Sequence, residues 1–176
     1  MESILEKTLT SCYKDDMISF MNSHPECFEE AVELALSDKQ PYSWRAAWLL
    51  WSVIEENDKR IKKFTKRIVN AAKTKGDSHQ RELLKILLML ELDERYEGIL
   101  FDICMNVWEQ ISKAPSVRVN ALKLIVKIAN KHPELKQEIY FLAQDHYLES
   151  LSPGAKHSVK KIISEINNQV SVYAEH

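Results

Sequence analysis

Trp44-Arg45-Ala46-Ala47-Trp48 returns in altered form as Gln80-Arg81-Glu82-Leu83-Leu84, as Val117-Arg118-Val119-Asn120-Ala121 and as Ala155-Lys156-His157-Ser158-Val159. The basic residue advances by 36, 37 and 38 positions, and an apolar stripe follows it each time. A period of this length belongs to stacked helix pairs, in which no unit buries its own apolar face and each leans on the next. Each motif opens a helix. Ser43, Ser116 and Ser152, with Asp77 and Ser78 in the second copy, stand at the expected starts, and Pro41, Pro115 and Pro153 mark entrance turns or first helical positions.

A second match runs in phase with the first. Asn22-Ser23-His24-Pro25-Glu26 recurs 108 residues later as Asn130-Lys131-His132-Pro133-Glu134, with proline at a helix entrance and glutamate in the first turn, where it suits the helix dipole. Together the two signals predict about ten helices: two short ones before residue 23, then pairs near 25–37 with 42–56, 58–74 with 77–91, 95–112 with 116–131, and 133–149 with 153–170. The end, Ser171 to His176, is expected to fray.

Composition agrees. The 176 residues are 45% hydrophobic with only 3 glycines and 5 prolines, too few for the turns of a sheet protein and enough apolar mass for one all-α domain spanning 1–176. No apolar run reaches membrane-spanning length and the N-terminus lacks a secretion signal, so a cytoplasmic protein without a membrane partner is expected. Cys12, Cys27 and Cys104 show no Cys-x-x-Cys spacing and are read as reduced, mostly buried thiols. The net charge of −2 hides segregation: residues 1–57 carry 11 acidic and 4 basic side chains, residues 58–75 carry 8 basic and 1 acidic.

The segment Ser116-Val117-Arg118-Val119-Asn120-Ala121-Leu122-Lys123-Leu124-Ile125 resembles the second helix of a HEAT repeat, with Val-Arg, Ala three residues after the Arg and an aliphatic residue at six. The resemblance covers roughly residues 23–170, as repeats 23–56, 57–92, 93–131 and 132–170. It implies a right-handed α-α superhelix, a solenoid of about four HEAT-like helix pairs preceded by N-terminal helices. The HEAT-like and armadillo-like superfamily includes scaffolds, transport receptors, enzyme regulators and DNA repair proteins, so the resemblance fixes architecture far more than activity. The family's aspartate before Val-Arg has a nearby counterpart only in Asp77, so its inter-repeat ladder is expected to be incomplete.

Three features are candidates for a partner site. Trp44, Trp48 and Trp51 share one side of their helix, and Ala47, Leu50 and Ile54 an adjoining one. Trp48 and Trp51 align with Leu84, Leu87, Ala121 and Leu124 and are expected in the core, whereas Trp44 aligns with Gln80 and joins Arg45 and Arg81 as a candidate partner-binding residue. Lys59, Arg60, Lys62, Lys63, Lys66 and Arg67, with Lys73, project onto one arc of the helix expected at 58–74. That face would suit an acidic partner, although an outer-layer helix usually shows such a face to water, and Glu26, Glu29, Glu30 and Glu33 nearby would compete with phosphate. In the helix at 95–112, Leu100, Ile103, Val107 and Ile111 form the core stripe, while Phe101, Met105 and Trp108 form a second stripe expected to meet Tyr140, Ala143 and Tyr147 of the next repeat.

Signatures of catalysis are absent. Gly76, Gly98 and Gly154 are isolated, no nucleophile elbow or His-Glu-x-x-His pattern occurs, and His24 and His132 recur as parts of a turn. The sequence reads as a non-enzymatic scaffold or adaptor for another protein, with no cofactor or metal. The second reading is a nucleic-acid-binding protein resembling the HEAT-like DNA alkylation repair glycosylases, favoured by the tryptophans and the basic helix and disfavoured by the acidic total.

Overall fold

The computed structural model describes the backbone of residues 1–173 and the side chains of residues 1–166, and these are all-α, with no strand among the described residues. Two compact units meet in sequence at Leu92 and Asp93, where a repeat boundary is expected. In the first, α1 (Ile4–Ser11) and α2 (Lys14–Ser23) precede α3 (Phe28–Leu36) with α4 (Tyr42–Val53), then α5 (Lys59–Lys62) and α6 (Thr65–Ala72) with α7 (Asp77–Leu88). In the second, α8 (Glu94–Glu109) pairs with α9 (Pro115–Ala129), and α10 (Lys136–Phe141) and α11 (Asp145–Leu148) lead to α12 (Pro153–Tyr173). The remainder of the expected frayed end, 174–176, lies outside the described residues.

Within the first unit α2, α4 and α7 form an inner row, with α4 packed against both neighbours, and α3 packs on α4 and α6 behind it. The core is the apolar stripe read from the repeat: Ala46, Ala47, Leu49 and Leu50 of α4 and Leu83, Leu84, Ile86 and Leu87 of α7 are buried. In the second unit α9 is the centre, packed against α8, α10 and α12, and Ala121, Leu124, Ile125 and Ile128 are buried as expected.

The count rises from ten helices to twelve because two outer helices are broken. At 58–74 the backbone leaves the α-helix at Phe64 (φ −97°, ψ 3°), and the Thr65 hydroxyl donates to the Lys62 carbonyl at 2.6 Å. A run of like charges three and four residues apart weakens a continuous helix here. At 133–149 the Trp108 indole Nε1–H donates to the Leu142 carbonyl at 3.1 Å, drawing that oxygen away from the helix ladder between α10 and α11. The two His-Pro-Glu segments adopt one conformation: Pro25–Cys27 and Pro133–Leu135 are single 3₁₀ turns, entered from His24 (φ −128°, ψ 64°) and His132 (φ −124°, ψ 85°). The pairing with α3 and α10 therefore begins one turn later than the sequence suggests.

Several side chains depart from expectation. Ile111 lies beyond the end of α8 and is exposed, whereas Phe101 and Trp108 of the second stripe are buried, the latter against Leu142 and Tyr147 of the next repeat. Of the three free thiols only Cys104 is buried, where burial pushes its pKa up, and Cys12 and Cys27 are half-buried. Asn57 takes a left-handed backbone (φ 57°), which a short polar side chain tolerates. Its N–H donates to the Met89 carbonyl at 2.8 Å and its Oδ1 accepts from the Glu91 N–H at 2.5 Å, so the turn leaving α4 is bonded to the chain leaving α7. Glu91, the charge that interrupts the second copy's apolar row, is past the helix and exposed.

Candidate functional site

The helix α4 buries one side and leaves the other half open. Trp44, Trp48 and Trp51 sit on the open side, so the expectation that Trp48 and Trp51 are core is corrected: the wide apolar arc is covered on one flank only. Their counterparts on α7 and α9 are buried because those positions turn into the stack. Each indole carries a cation instead. The Arg45 guanidinium lies 5.3 Å from the Trp44 ring centre, the Lys14 ammonium 5.6 Å from Trp48 and the Lys85 ammonium 4.2 Å from Trp51, all within cation–π range.

A groove of about 500 Å³ runs between α2, α4 and α7, with Lys14, Trp44, Arg45, Trp48, Arg81 and Lys85 on its walls. A second hollow of about 580 Å³ shares Trp44 and Arg81 and extends to Gln40, Pro41 and the start of α7. Tyr13, 85% exposed, stands at the rim. Thus the structure brings together Trp44, Arg45 and Arg81 and adds Lys14, Lys85 and Trp48. Lys85 is four residues after Arg81 and Trp48 four after Trp44, a spacing that places each pair on one helix face and could have flagged them.

The charges are unequally satisfied. Glu82 is fully buried and accepts from Arg81 Nε at 2.7 Å and Lys85 Nζ at 3.2 Å, which compensates its desolvation. Arg45 Nη1 donates to the Leu9 carbonyl at 2.6 Å, while its Nε is buried with no hydrogen-bond partner. Lys14 is exposed. Behind the second hollow, His79 is buried, with Nε2 2.7 Å from the Ala35 carbonyl and Nδ1 3.3 Å from Gln40 Nε2. Burial pushes its pKa below the usual histidine value, so it is neutral, donating from Nε2. Among the described residues no group of His, Cys, Asp and Glu side chains is arranged to hold a metal ion.

The six basic candidates of the outer row line neither hollow. Broken at Phe64, their arc is not the continuous face expected, and half of it is engaged: Arg60 with Asp58 at 2.7 Å, Lys63 with Glu29, and Arg67 with Glu33 at 2.5 and 2.7 Å. Lys59, Lys62 and Lys66 remain exposed, with no ion-pair partner among the described residues. The acidic helix α3 thus pairs with two of the six, Lys63 and Arg67.

In the second unit the basic repeat position is structural. Arg118 is fully buried, stacked 4.7 Å from the Trp108 ring centre, and donates to the Trp108 carbonyl (2.9 Å), the Tyr147 carbonyl (2.7 Å) and the Ser150 hydroxyl (3.1 Å). It caps the ends of α8 and α11. At the opposite end of the α8–α9 pair, buried Glu97 accepts from Lys131 at 2.8 Å and lies 2.7 Å from His132 Nε2. Burial alone would raise the Glu97 pKa, but these two partners outweigh it and hold the carboxyl below its usual range, and the hydrogen bond to Glu97 raises that of His132.

Comparison with known proteins gives one family. Residues 1–166 match the family described as HEAT repeat domain. No curated protein and no solved structure matches the chain. The family match begins at residue 1, so it takes in α1 and α2, which the sequence reading left outside the repeats.

Proposed function

This chain belongs to the HEAT repeat domain family, whose members commonly serve as protein-interaction scaffolds, and from that premise we propose that it is a non-enzymatic adaptor binding another protein through the groove of its first unit. One observation carries the reading: three tryptophans on the inner helix α4 stay half open, each under a cation, where the matching positions of α7 hold buried Gln80, Leu84 and Leu87. Aromatic and arginine side chains at a concave site are the usual anchors of protein interfaces. Trp44, Trp48 and Arg81 are the anchors here, with Lys14 and Lys85 on the walls and Arg45 laid on Trp44. Among the described residues no helix is long and apolar enough to cross a membrane. Three free thiols fit a reducing, cytoplasmic setting.

A photo-crosslinking side chain in place of Tyr13, at the rim, tests this against the same group in place of Ile99, exposed on α8. A discrete adduct is expected from position 13 alone, and the purified partner should bind the Trp44→Ala/Lys14→Ala variant, which leaves buried Glu82 its partners, at least about tenfold more weakly while the variant keeps its helical circular dichroism. Equal adducts at both positions, or equal binding by the variant, would refute the reading.

The combination of indoles and cations also supports the second reading, a nucleic-acid-binding protein resembling DNA alkylation repair glycosylases. Against it, three of the six basic side chains of the ridge outside the groove are paired, with Asp58, Glu29 and Glu33. Duplex DNA should therefore show no steeply salt-dependent binding.

A further inference from the structure

We infer that the groove between α2, α4 and α7 recognises an acidic, extended protein segment that alternates carboxylates with bulky apolar side chains. The inference rests on the adaptor reading and specifies its partner. Four cations, Lys14, Arg45, Arg81 and Lys85, face a groove whose one acidic lining residue, Glu82, is buried and already bonded to two of them. The surplus is positive in a protein whose total is −2, so the field of the groove opposes that of the molecule and favours an anionic visitor.

The cations also govern access to the apolar surface. Lys14 lies over Trp48 and Arg45 over Trp44, so the faces that would receive a ligand's apolar group are partly covered. A carboxylate that draws Lys14 aside uncovers Trp48 for the side chain next to it. Charge and apolar contact are then gained together, which a segment offering only one of them cannot do. The buried Arg45 Nε, without an acceptor, would gain one if the guanidinium turned toward a carboxylate.

Charge argues against a nucleic acid: phosphate binding draws its strength from neutralising a row of phosphates, whereas two of these four cations share Glu82. A groove of about 500 Å³ has room for a few side chains.

The test is selection of random linear peptides on the immobilised full chain, followed by titration of the best synthetic peptide. Enrichment of Asp and Glu alternating with Leu, Phe or Trp is expected. The peptide should shift the indole N–H resonances of Trp44 and Trp48 and leave that of Trp108, which is fully buried. Its binding should weaken with salt and fall about tenfold in Lys14→Glu, an exposed position that does not threaten folding, and in Arg81→Gln, but not in Lys66→Glu on the outer row. Enrichment of neutral or basic peptides, no enrichment, or stronger shifts of the same resonances by a single-stranded oligonucleotide would overturn the inference. If the position-13 partner still depends on Trp44 while the selection fails, the adaptor reading stands and the acidic segment falls; if both fail, both fall.

Discussion

Arg118 keeps its charge with no exposure to water because three acceptors and an indole surround it. Removing the side chain strands the buried Trp108 carbonyl, worth about 1–3 kcal/mol when unpaired, and the partly buried Tyr147 carbonyl. Arg118→Ala is therefore expected to lose at least about 2 kcal/mol in urea denaturation. Arg118→Lys should recover little of it, since an ammonium cannot span the planar set of acceptors. The repeat placed Arg45, Arg81 and Arg118 in one row, yet their fates differ. That difference depends on neighbours no period reveals: the Leu9 carbonyl, the adjacent Glu82 and the ends of α8 and α11. Trp44 and Arg81 as groove residues were legible, whereas Lys14 was not, because it comes from a helix outside the recognised repeats.

Helices were legible where their apolar stripes face the stack, and illegible where a side chain from another helix enters the ladder. Trp108 is such an intruder at Leu142. Trp108→Phe keeps most of the volume but leaves that carbonyl unpaired, and a loss of roughly 1–3 kcal/mol is expected, with faster amide exchange through α10 and α11. Leu124, fully buried on α9, should cost roughly 2–5 kcal/mol as Leu124→Ala, whereas half-open Trp48→Ala should cost less than the roughly 3 kcal/mol minimum for a buried tryptophan. Equal melting losses for these two would show that Trp48 is core after all. The sequence grouped Trp48 with Leu84 and Ala121 because period alone cannot say whether a helix flank has a neighbour.

For the molecule as a whole, the histidines should make the two units respond in opposite senses to pH changes near 6.5, above the range in which Glu97 titrates. His79 in the first has a folded pKa below 6.5, so as pH falls through 6.5 the unfolded chain takes up a proton that the folded one refuses, and stability drops until the folded pKa is reached. His132 in the second has a folded pKa above 6.5, so its contribution is complete below 6.5 and is lost as pH rises through the raised value. Hydrogen exchange, corrected for its intrinsic pH dependence, should show α4 and α7 loosening toward acid and α9 toward alkali, and His79→Gln should flatten the acid limb. Parallel changes in both units would contradict this. The two histidines thus work in opposite directions, since one meets a carbonyl in the interior and the other a carboxylate.

The left-handed turn at Asn57 ties the far end of α4 to the far end of α7, the helices that carry Trp44 and Arg81. It acts as a clasp on two walls that never touches what lies between them. Asn57→Gly, which keeps the backbone conformation and deletes the Oδ1 acceptor, would slacken the jaw and let the molecule tune its grip from outside.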